Sequence, residues 1–81
     1  MRYETTPRGS EEIVKKSILT KREKEVFDLL IINNTTSDIA NKLKISEKTV
    51  RNHISNVMQK LDVKSRAVAV VELLKMNEIS L

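Results

Sequence analysis

An all-α domain of four helices is what this 81-residue sequence predicts. Three observations carry that reading. The chain has one Gly and one Pro, which leaves little to build tight β-hairpins. Ser or Thr stands ahead of each of four apolar runs, at Thr20, Thr35 or Thr36, Ser46 and Ser65. The runs themselves repeat at helical rather than strand spacing.

Residues 1–17 show no sustained periodicity, and the lone Pro7 and lone Gly9 both fall in Thr6-Pro7-Arg8-Gly9-Ser10. A flexible N-terminal arm is expected there. Pro-Arg-Gly-Ser is like the scar of a cleavable tag, and a native tail reads equally well. The remaining 18–81 form the single domain that this length allows.

The first helix opens at Thr20-Lys21-Arg22-Glu23, a capping box in which the Thr hydroxyl and the Glu carboxylate serve each other's amides. Val26, Phe27, Leu30 and Ile31 follow on one face, and the helix ends near Ile32. Asn33-Asn34 closes it, Asn being the best non-Gly residue for a left-handed position. Thr35-Thr36 caps a short second helix with Ile39, Ala40 and Leu43 inward. Lys44-Ile45 turns the chain, and Ser46 caps a third helix with Glu47 complementing its dipole. Val50, Ile54, Val57, Met58 and Leu61 lay an apolar stripe along it. Asp62 to Lys64 breaks the pattern, Ser65 caps a fourth helix to about Met76, and 77–81 form a tail.

On a wheel with Val50 at the origin, the apolar stripe of the third helix centres near 20°. Lys48, Asn52, Ser55 and Gln59 fall between about 140° and 200°, with Arg51 near 100°. No acid occurs from Lys48 to Leu61. By itself such a face is as often a plain solvated surface. It also has the chemistry of a DNA reader: Arg or Lys pairs with guanine and Asn or Gln with adenine in the major groove. A short helix, a turn and a longer helix are the parts of a helix-turn-helix. His53 sits at the edge of the core. A half-buried histidine bonded to backbone is favoured there over a phosphate contact.

Composition narrows the classes. Lys and Arg number 15 against 11 Asp and Glu, a net charge of +4 that suits a polyanionic partner. There is no Cys, His53 is the lone His, and no carboxylates pair up, so neither an enzyme nor a metal site nor a cofactor is expected. One Tyr and one Phe are too few for a single-strand stacking platform. No apolar run approaches the ~18 residues of a membrane span, and no signal pattern opens the chain, so a cytoplasmic location is expected.

The fourth helix is apolar on two sides. Ala67, Val70, Val71 and Leu74 cluster on one side; Ala69, Leu73 and Met76, near Val68 and Glu72, on the other. The sequence reading takes the second strip as a dimer interface of Val68, Ala69, Glu72, Leu73 and Met76. The alternative is that Ile79-Ser80-Leu81 or 17–19 folds back over it.

Four stretches together resemble the LuxR/FixJ-type DNA-binding domain: Leu19-Thr20-Lys21-Arg22-Glu23-Lys24-Glu25-Val26; Asp38-Ile39-Ala40; Ile45 through Ile54; and Leu61-Asp62-Val63-Lys64-Ser65-Arg66 with Ala69-Val70. The third-helix stretch and Val70 to Leu74 are most similar to the family's free-standing regulators of spore formation. The resemblance implies a four-helix, LuxR-type helix-turn-helix domain that binds duplex DNA as a homodimer and regulates transcription. Spore-coat gene control is the implied role, with RNA polymerase a further partner. It assigns base contacts to Arg51, Asn52, Ser55 and Lys48, and phosphate contacts to Thr36, Thr49 and Lys60. Many members carry Gly where Asn33 and Asp62 stand here, so both must take positive φ without it. Two other readings share the fold: the output domain of a two-component response regulator, and a helical protein-interaction module.

Overall fold

The computed structural model describes residues 18–81, and the expected arm at 1–17 lies outside the described residues. Four helices follow in order: α1 (Lys21–Leu30), α2 (Thr36–Leu43), α3 (Glu47–Leu61) and α4 (Arg66–Lys75). No strand occurs among the described residues.

Each start is chemically specified. The Thr20 hydroxyl accepts from the Glu23 amide at 3.1 Å, while the Thr20 amide donates to Glu23 Oε1 at 2.9 Å. Of the two candidate caps for α2, the structure uses Thr35. Asp38 stands three residues on and closes a second capping box at 3.0 and 3.1 Å. Ser46 caps α3 by accepting from the Thr49 amide at 3.0 Å, and Ser65 caps α4 by accepting from the Val68 amide at 3.1 Å.

Each end turns left-handed without glycine. Asn33, Lys44, Asp62 and Asn77 hold φ of 71°, 60°, 55° and 59°. Asn33 and Asp62 adopt the conformation the sequence requires of them. After α1, the Asn34 side-chain amide donates to the Leu29 carbonyl at 2.8 Å. That helix closes at Leu30, slightly earlier than expected, and Ile32 stands 61% exposed in the turn. Lys44 is the costly position. A Lys has no short polar group to support a left-handed backbone, so the Lys44 and Ile45 amides, both donating to the Ala40 carbonyl, hold the turn.

α3 is the hub, packing on α1, α2 and α4. Its Val50, Ile54 and Val57 are buried in one core with Val26 and Phe27 of α1 and Ile39 of α2. Met58 and Leu61 pack at the margin of that core. The expected stripe is therefore the inward face of α3.

α4 corrects the sequence reading. Ala69 and Leu73, expected at a dimer interface, are both 0% exposed and belong to the monomer core. Val71, expected inside, is 49% exposed, and Ala67 also faces out. The helix is apolar nearly all round, so its periodicity could not choose a side. Packing against α3 and the returning tail choose it. Asn77 reverses the chain, the Glu78 amide donates to the Leu73 carbonyl at 2.9 Å, and Ile79 is buried in the same core. The alternative of a tail folding back holds for Ile79, while Leu81 stays exposed.

Candidate nucleic-acid interface

Burying Val50, Ile54 and Val57 forces the opposite side of α3 outward. Lys48, Arg51, Asn52, Ser55 and Gln59 are all exposed, and Thr49 is half-exposed beside them. Among the described residues, Lys48, Asn52, Ser55 and Gln59 make no side-chain hydrogen bond or ion pair within the protein. Their donors and acceptors are free for a ligand. A rigid helix holds them in one row, the arrangement groove reading requires.

Two residues extend this face beyond the expected set. Asn56 is exposed, about 40° beyond Asn52 on the wheel, and adds another amide. Glu47, valued in the sequence only for the helix dipole, brings Oε1 to 3.6 Å from Arg51 Nη1. The i, i+4 spacing of that pair was visible in the sequence.

The residues expected on phosphates are placed differently from one another. Thr36 is half-buried at the start of α2, and its neighbour Thr35, not Thr36, is spent on the cap. Thr49 shares a 2.9 Å hydroxyl hydrogen bond with Ser46. Lys60 is turned toward the protein, donating to Glu23 Oε1 at 2.5 Å and to the Ile18 carbonyl at 3.1 Å. An ammonium has three N–H donors, so one remains. Burial pushes the Glu23 carboxyl up, yet hydrogen bonds from Lys60 and from the Thr20 amide together hold it below the usual glutamate value. Asp38 is also lowered, chiefly by the Thr35 amide it accepts from. His53 is half-buried, as expected, but among the described residues its ring makes no hydrogen bond to the backbone.

Among the described residues no group of three or more His, Cys, Asp or Glu is placed to hold a metal ion. Nor is any helix there long and apolar enough to cross a membrane.

The family model for bacterial regulatory proteins of the luxR family matches residues 17–73. The chain belongs to the luxR family. As a member it is a helix-turn-helix, DNA-binding transcription regulator. It is 64% identical over 70 residues to the spore germination protein GerE of Bacillus subtilis, covering 86% of this chain and 95% of that one. A solved structure of the transcription factor GerE superposes with a TM-score of 0.78 at 57% identity, covering 80% of this chain and 97% of the other. The transcriptional regulatory protein DegU of Brevibacillus brevis is 50% identical over 58 residues; those cover 72% of this chain but only 25% of DegU. The luxR-type fold expected from the sequence is the fold observed.

Proposed function

We propose that this luxR-family chain is a GerE-like, sporulation-linked regulator that binds specific duplex sites as a dimer, with α3 in the major groove. The observation that carries the reading is the outward row of unpaired donors and acceptors on α3, held opposite Val50 and Ile54. Arg51, Asn52, Ser55 and Lys48 read base edges. Thr36, Thr49 and the spare N–H of Lys60 bind phosphates. Basic side chains supply salt-dependent affinity for any duplex, and the base contacts discriminate among sequences.

The dimer forms through the outer face of α4. Val68, Val71 and Met76 are 46%, 49% and 42% exposed there, with Glu72 half-buried among them. These replace the corrected Ala69 and Leu73. Two-fold symmetry would set two reading helices about 34 Å apart on related half-sites. Near-complete coverage of GerE supports a role in sporulation, with spore-coat genes the targets. RNA polymerase is the partner such a regulator would act on.

Selection of binding sites from random duplexes tests the reading. It predicts a site with two related halves, and affinity that falls steeply from low to physiological salt. Recovery of no preferred site, with salt-independent docking to a protein instead, would favour the interaction-module reading.

A further inference from the structure

Glu47 is the one acid within α3, since none follows from Lys48 to Leu61. A carboxylate beside DNA is repelled by phosphates, so its presence at the head of a reading helix needs a physical account. Its position supplies one. Glu47 lies one turn before Arg51, both side chains are about half exposed, and Oε1 stands 3.6 Å from Nη1. The order, acid N-terminal to base at i, i+4, is the favourable one.

We propose that Glu47 is a specificity-determining positioning residue, acting through Arg51; this rests on the reading of α3 as the groove helix. A guanidinium carries five donors in a planar fork. With Glu47 drawing one edge of the fork toward the helix start, the other edge is left for a base. Guanine offers two acceptors, O6 and N7, spaced for that free edge. A phosphate elsewhere along the backbone must instead compete with the carboxylate for Arg51 and also bear its repulsion. Glu47 therefore weakens poses in which Arg51 rides on the backbone more than the pose in which it reads a base. Selectivity arises here from a repulsive group as well as an attractive one.

The test measures full-chain affinity for a selected duplex and a scrambled duplex of equal length across a salt series. The parent, Glu47→Gln, Glu47→Asp, Arg51→Ala and the double variant Glu47→Gln/Arg51→Ala are compared. Glu47→Gln should bind the scrambled duplex more tightly and lower the selected-to-scrambled ratio about two- to fivefold, the range of an exposed ion pair. Its salt slope on the scrambled duplex should steepen by about 0.9 as Arg51 gains a phosphate. Glu47→Asp keeps the charge on the helix dipole but falls short of Arg51, so it should fold like the parent and show the lowered ratio. With Arg51→Ala present, Glu47→Gln should leave the ratio unchanged. A ratio and slope in Glu47→Gln equal to the parent's, or an equal fall in the Arg51→Ala background, would overturn the inference alone. A parent that does not bind the selected duplex would overturn the reading of α3 and the inference with it.

Discussion

Lys60 and Glu23, 37 residues apart in sequence, meet at 2.5 Å and tie the last turn of α3 to the first turn of α1. Glu23 is only 3% exposed, and its carboxylate also completes the α1 capping box. One carboxylate thus fixes a helix start and the far end of the reading helix. The lysine expected to bind phosphate is first a structural tie.

Removing that tie should destabilise the protein. Lys60→Ala leaves a buried carboxylate short of a donor, at a cost of about 1–3 kcal/mol. Urea unfolding of parent and variant reads the difference. Glu23 has a depressed folded-state pKa, so its contribution is fully present above the usual glutamate value, about 4.3, and is lost as pH falls through the folded value. Without Lys60, burial disfavours the charged form, and acid relieves that penalty. The gap between parent and Lys60→Ala should therefore be widest near neutral pH and narrow on acidification. A gap independent of pH would show that the ion pair does not hold Glu23.

The two apolar sides of α4 should respond to substitution in opposite ways. Leu73→Ala opens the core and should cost about 2–5 kcal/mol. Val71→Asp lies on the outer face and should leave the monomer's unfolding midpoint within about 0.5 kcal/mol of the parent's. In sedimentation at several concentrations it should remain monomeric where the parent associates. Equal association of parent and Val71→Asp would place the dimer contact elsewhere.

The turn between α2 and α3 stores strain that glycine would release. Lys44 holds φ 60° with no local side-chain support. Lys44→Gly relieves about 1–2 kcal/mol of steric cost and returns part of it as chain entropy. A net rise in stability of up to about 1 kcal/mol is expected by thermal unfolding. A fall in stability would mean that the Lys44 side chain contributes more than its backbone costs.

What the sequence made legible was local. Capping residues announced the helix starts, because the bonds they make reach only three residues on. The α3 stripe was legible because its periodicity is strong, and an exposed Arg51, Asn52 and Ser55 follow from a buried Val50 and Ile54. The inward side of α4 was not legible, since Ala69, Leu73, Val68 and Val71 are all apolar and the choice among them is made by tertiary packing on α3 and the returning Ile79. The Lys60–Glu23 pair was hidden for a related reason: it joins α1 to α3 across 37 residues of sequence, and neither residue's neighbours imply the other.

The most direct test of α3 as the groove helix is an affinity profile of the parent and Arg51→Ala. A selected duplex and each of its single-base-pair variants would be titrated at one fixed salt concentration. The account predicts that Arg51→Ala loses about 1–3 kcal/mol on the selected site and loses discrimination at one base-pair position per half-site. Equal affinity with an unchanged positional profile would contradict it.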